Sequence, residues 1–325
     1  MKEYGLTEKR YIALLSVITI SIMGIILTKN KNPPTPSLSF SSSNTTTTTR
    51  FALAALLSVE GSREWWNQQK YIASAEKLAL SFRRYSNLDM VLLVVDQYGI
   101  VALRKADEAR LARGGWTVHR ISTTIPEEEN NNNRGWDGTT TTKLFSKLWM
   151  WRLSMYELIL YTDLDTLFVE SPEVLFRLRP SPQNPGMVLD TGRAPHYFNT
   201  GVILLHPSED MFQRLVKAII IMNHHRTRQE GEEDTTEQYF LNHYFHGQII
   251  KLDARFNRQV CAQENCLNDD DMAILDTREK SLAVLLKDTA TIIHFNGDNN
   301  KPWNLKNCVQ QNIVQLCMFW KHYHG

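Results

Sequence analysis

Short apolar runs alternate with amphipathic stretches along most of this chain. FALAALLS at 51–58 and MVLLVVD at 90–96 are almost wholly apolar, the composition of strands buried on both faces of a parallel sheet. Between them Ile72, Ala75, Leu78, Ala79 and Phe82 recur at three-and-four spacing, which predicts a helix and so a strand–helix–strand unit. Leu144, Leu148, Trp151 and Met155 repeat the helical spacing and lead into LILYT at 158–162, an apolar run that stops at Asp163. Residues 201–205 and 291–295 read as further strands, with a helix over about 210–222. The alternation predicts an α/β domain: a mostly parallel central sheet flanked by helices, with its ligand site beyond the carboxyl ends of the strands.

The first fifty residues follow a different pattern. YIALLSVITISIMGIIL at 11–27 carries no charge and has Lys9-Arg10 before it and Lys29 after it. Seventeen residues at a rise of about 1.5 Å extend about 26 Å, the short end of a bilayer span. Thr28-Lys29-Asn30 offers no small-x-small cleavage pattern, which favours a retained anchor over a removed signal peptide. Lys2, Lys9 and Arg10 outweigh Glu3 and Glu8, so the expected topology is a cytosolic tail at 1–10, an anchor at 11–28 and a lumenal remainder, in the Golgi or endoplasmic reticulum membrane. Residues 29–50 are rich in Pro, Ser and Thr, which bury too little apolar surface to order themselves and read as a stalk. The expected catalytic domain is 51–325, a single unit with a polar insertion around 127–142.

Composition narrows the partners. With 36 basic and 35 acidic residues the net charge is +1, without the basic excess of a nucleic-acid binder. All 4 cysteines, Cys261, Cys266, Cys308 and Cys317, lie near the carboxyl end. In a lumenal chain they suggest two disulfides, with three pairings open, and no Cys-x-x-Cys pair points to zinc. Histidines at 224, 225, 243 and 246 lack the His-Glu-x-x-His arrangement and read as polar helix ends.

The chemistry concentrates in two places. YTDLDTLF places Asp163 and Asp165 two apart where an apolar strand ends, so that both can offer hard oxygen ligands to manganese or magnesium at the ligand-binding edge of the sheet. HFNGDNNKPWN, beginning at His294, ends another apolar run with an imidazole, followed by Gly297 and by Lys301-Pro302-Trp303. An imidazole with two carboxylates suits manganese, while a glycine backbone and a lysine suit phosphate oxygens. Together they suggest a cradle for a metal and a diphosphate.

These motifs resemble the glycogenin-like retaining glycosyltransferases of family eight, enzymes of the GT-A fold, in order over nearly all of 51–325. The resemblance implies that Tyr71 lies near the nucleotide base, that Lys147, sixteen residues before Asp163, contacts the sugar nucleotide, and that Asp163, Asp165 and His294 hold the metal. Phe198-Asn199-Thr200-Gly201-Val202 looks like the turn whose asparagine reaches the donor sugar, and Asp190 sits near a sugar-binding aspartate. Gly297, Lys301 and Trp303 match the closing block. One departure stands out: the family's Asp-Gly-Gly-Asp-Gln appears as Asp234-Thr235-Thr236-Glu237-Gln238, so the second acid is longer by one methylene, which bears on donor choice. The loop at 59–70 is also longer than in glycogenin.

The implied reaction moves a sugar from a nucleoside diphosphate sugar, UDP-linked, to a glycan or glycoprotein hydroxyl with retained configuration. Asp190, Asp234 and Glu237 are the acids open to a nucleophilic role, beside a front-face exchange in which the leaving phosphate takes the acceptor proton. A homodimer is a further expectation. The alternative is a membrane-anchored carbohydrate-binding protein without turnover, against which the complete Asp163, Asp165, His294 set argues.

Overall fold

The computed structural model describes residues 50–58, 65–95, 103–121, 145–191, 193, 196–226, 236–260, 290–297, 301–303, 317 and 320–321. The predicted anchor and stalk, the insertion and Asp234 lie outside these residues. Among the described residues no helix is long and apolar enough to cross a membrane. Cys317 is disulfide-bonded, and the other three cysteines lie outside the described residues.

The fold is a single mixed α/β domain around a seven-stranded sheet. Its strands are β1 (Phe51–Ser58), β2 (Asp89–Val95), β3 (Trp116–Ile121), β4 (Leu158–Thr162), β6 (Gly186–Leu189), β7 (Phe198–Leu205) and β8 (Ile250–Lys251), in the order β3-β2-β1-β4-β7-β6-β8. β1 is central, pairing in parallel with β2 and β4. β7 alone runs against its neighbours β4 and β6, a reversal the apolar pattern did not carry.

The alternation of side chains along β1 explains the two-layer cover. Leu53, Ala55 and Leu57 face one core with Ile72, Leu78 and Phe82 of α1 (Trp65–Arg83). Ala52 and Ala54 face the other, built with Leu215 and Ile219 of α3 (Glu209–Arg226) and Phe240 of α4 (Glu237–Tyr244). Small residues on β1 let Trp151 and Phe245, both fully buried, come close to the sheet on that side. A further helix, α2 (Lys105–Arg113), precedes β3.

The helix predicted around 144–155 is instead a 3₁₀ helix, Ser146–Arg152, and Met155 beyond it is half exposed. Leu148 and Trp151 satisfy an i,i+3 spacing, so a tighter turn buries both without needing a fourth residue on the stripe.

A second sheet of three very short strands completes the site: β5 (Thr166–Phe168), β9 (Arg258–Gln259) and β10 (Ile292–His294), in the order β5-β10-β9. β10 is antiparallel to β5 with His294 opposite Thr166. Residues 124 to 128 apart in sequence are thereby neighbours.

Candidate active site

Asp163 follows the last residue of β4, where its backbone N–H donates to Gly201 O of β7 at 2.8 Å. The turn to β5 is closed by Thr166 Oγ1 donating to Asp163 O at 2.8 Å, and Phe295 N donates to Asp165 O at 2.9 Å. Those bonds tie both acids to the edge where the two sheets meet. Asp163, Asp165 and His294 each bring a ligand atom, and these atoms all lie within 4.8 Å of one another; among the described residues no other such group of three His, Cys, Asp or Glu occurs.

The histidine tautomer follows from a chain of hydrogen bonds. Gly201 N, which can only donate, reaches Asn199 Oδ1 at 2.9 Å, so Asn199 presents its oxygen. Asn257 Nδ2 donates to the same oxygen at 2.8 Å and therefore turns its own oxygen to His294 Nδ1, 2.9 Å away. Nδ1 then carries a proton, and Nε2, 3.5 Å from Asp165 Oδ1, is the ring nitrogen turned toward the acids. A buried imidazole oriented by an amide, with Nε2 beside two carboxylates, is a donor set that could hold a divalent cation. Gly201 is part of this fit, because a Cβ there would stand 2.1 Å from His294 Cε1.

Two lysines neutralise the acids. Lys301 Nζ donates to Asp165 Oδ2. Burial alone would raise the Asp165 carboxyl, but Lys301 and His294 outweigh it and hold it well below the usual carboxylate range. Lys147, only 4% exposed, lies 3.1 Å from Asp163 Oδ1 and 2.7 Å from Glu237 Oε1. Burial would lower its ammonium, yet the two carboxylates outweigh it and hold it above the ordinary lysine value.

The predicted sugar-side residues gather next to this cluster. Gln238 Nε2 donates to Asp190 Oδ2 at 2.8 Å while its Oε1 accepts from Thr200 N at 3.1 Å. Burial pushes the Asp190 carboxyl up, opposed by hydrogen bonds from Gln238 and Asn199 and by the charge of Arg193. Asn199 is itself buried, its oxygen committed to Asn257 and Gly201. Tyr71, partly exposed, meets Trp303 edge-on with ring centroids 5.1 Å apart, and Trp303 packs on Trp320 at 6.0 Å. Gly297 adopts φ +75, a left-handed turn that favours glycine.

Asn257, Thr200 and Tyr161 were not among the candidates. Each acts by holding a candidate: Tyr161 OH donates to Asp163 Oδ1 at 2.8 Å, and Thr200 Oγ1 reaches Glu237 Oε1 at 3.1 Å. An asparagine at the end of the short 3₁₀ helix Ala254–Asn257 carries no local signal of a histidine thirty-seven residues away.

This arrangement, a mostly parallel sheet delivering an Asp-x-Asp pair to an edge closed by a histidine-bearing strand, is the architecture of the GT-A fold. The profile described as "Glycosyl transferase family 8" matches residues 119–307, and the chain belongs to that family. It is 28% identical over 153 residues to the UDP-glucuronate:xylan alpha-glucuronosyltransferase 1 of Arabidopsis thaliana, covering 46% of this chain and 20% of that one. It is 28% identical over 166 residues to the glycogenin of Komagataella phaffii, covering 50% and 38%. The chain thus spans well under half the length of the curated relatives it matches. Among solved structures the galactosyltransferase LgtC, in complex with donor and acceptor sugar analogues, shares the fold with a TM-score of 0.52 at 16% identity over 85% of this chain and 96% of that one. β1, α1, β2 and α2 precede the matched segment and supply two of the four strands in the contiguous parallel run β3-β2-β1-β4.

Proposed function

We propose that this chain is a metal-dependent, retaining glycosyltransferase that moves a sugar from a UDP-linked donor to a hydroxyl group on a glycan or protein. The observation that carries the reading is the convergence of Asp163, Asp165 and His294 within 4.8 Å, with the imidazole oriented through Asn257. Manganese or magnesium bound there supplies positive charge at the departing diphosphate. Lys301, whose side chain keeps 21% of its surface exposed, adds a second positive charge on the same side as Asp165. Tyr71 and Trp303 offer aromatic surface for a nucleotide base. Asp190 and Gln238, joined to each other and partly accessible, provide polar atoms for sugar hydroxyls. Relatives named for UDP-glucuronate support a uridine carrier. The charge-free run at 11–27 supports an anchored protein with this domain in the secretory lumen, which carbonate extraction tests.

A panel of isotopically labelled sugar nucleotides, incubated with the full chain and manganese, tests the reaction. One donor should be consumed with label appearing in the acceptor, and chelator should stop it. Binding of donors without turnover would favour a carbohydrate-binding role instead.

A further inference from the structure

The substitution of a glutamate for the family's aspartate at position 237 has a structural counterpart. Glu237 occupies the first turn of α4, capped by Thr236, and is buried. Its Oε1 accepts from Lys147 Nζ at 2.7 Å and from Thr200 Oγ1 at 3.1 Å. The ammonium has three N–H donors, and three acceptors surround it: Glu237 Oε1, Thr200 O at 3.2 Å and Asp163 Oδ1 at 3.1 Å. A phosphate oxygen could reach Lys147 only by displacing one of them. Asp163 Oδ1 in turn accepts from both Lys147 and Tyr161 OH, so its two lone pairs are committed and Oδ2 is left to meet an incoming ligand.

We propose that Glu237 is a positioning residue rather than a sugar contact: its carboxylate holds Lys147 against Asp163 and thereby fixes which carboxylate oxygen faces the metal and diphosphate. The extra methylene is what makes the contact. An aspartate on the same turn would end about 1.5 Å short, one carbon–carbon bond, and a 2.7 Å hydrogen bond would be lost. The pair is also why Lys147, unlike Lys301, is closed off from solvent. The inference rests on the proposed function for the identity of the diphosphate, but the placement of Lys147 can be read without any donor.

The test uses the full chain and two readouts. Reductive methylation followed by mass spectrometry measures how accessible Lys147 is. Titration with manganese and UDP, which has no sugar, measures whether Glu237 acts on the metal–diphosphate part of the site. Glu237→Asp should raise the labelling rate of Lys147 at least tenfold and weaken manganese–UDP binding about tenfold, while adding little to the same loss in Lys147→Met. Glu237→Gln, which keeps the reach and loses the charge, should move both readouts in the same direction by less, and it serves if the aspartate variant does not fold. Unchanged labelling in both folded variants overturns the proposal. So does unchanged manganese–UDP binding with a loss confined to the intact sugar nucleotide, which would make Glu237 a sugar contact. A wild-type protein that binds neither manganese nor UDP overturns the proposed function, and the labelling comparison then still decides whether Glu237 holds Lys147.

Discussion

Lys147 and Lys301 carry the same charge to the same pair of acids, yet their surroundings differ. Lys147 stands on the 3₁₀ helix packed against the large sheet, its side chain 6% exposed, between two carboxylates and a carbonyl. Lys301 follows the small sheet, 21% exposed, with Asp165 as its carboxylate partner and Phe295 O at 3.4 Å. Burial opposes the charge on both, and neighbouring carboxylates outweigh it on both. The difference lies in what each can still do. A saturated, enclosed ammonium orients its neighbours, whereas a partly accessible one can turn toward a ligand.

The largest expected effect lies on the acids that both lysines serve. Asp163→Asn and Asp165→Asn should each lower transfer at least about a hundredfold and weaken manganese binding, measured by calorimetry, because each would remove a charged ligand from the proposed metal–diphosphate site. Transfer undiminished in either variant, or in chelator, would mean the reaction lies elsewhere.

Stability separates the two lysines directly. Lys147→Met leaves the buried Glu237 without its cation, while Asp163 keeps the Tyr161 hydroxyl and some solvent, and should cost about 3–5 kcal/mol in urea unfolding. Lys301→Met leaves the buried Asp165 with His294 as its remaining neighbour, so about 1–3 kcal/mol is expected, with the main loss in donor affinity. Equal costs would remove the distinction between them.

Two further substitutions act on the histidine side and should leave Lys147 protected from labelling. Gly201→Ala forces a methyl group to 2.1 Å from His294 Cε1 and 2.7 Å from Nδ1, so the ring must move. A stability loss of about 1–3 kcal/mol accompanied by weaker manganese binding is expected. Asn257→Ala removes the buried acceptor that orients the imidazole and should weaken manganese binding about tenfold, with a stability loss of about 1–3 kcal/mol. Increased labelling of Lys147 in either variant would show that the two sides are mechanically one.

Much of this was legible in the linear pattern. The apolar runs of β1, β2 and β4 became strands because a segment buried on both faces needs apolar residues at every position, and the stripe of α1 follows from its period. The Asp-x-Asp at the end of β4 and the imidazole ending β10 were visible as chemistry at strand ends. The order of strands was not, nor the reversal of β7, because register and direction depend on which distant segment completes the backbone hydrogen bonds.

The sequence by itself determined the long apolar strands, the stripe of α1, the acids and imidazole at strand ends and the lengthened acid at 237. Only the tertiary structure decided the tasks of the polar residues. Strands of two or three residues, such as β5, β9 and β10, have too few local contacts to form alone and exist because the surrounding core aligns them. The partners of Lys147, Glu237, Asn199 and Asn257 are likewise set by that alignment: a buried polar group takes whichever complementary atom the fold brings within about 3 Å, and nothing in its own neighbourhood of the chain names that atom.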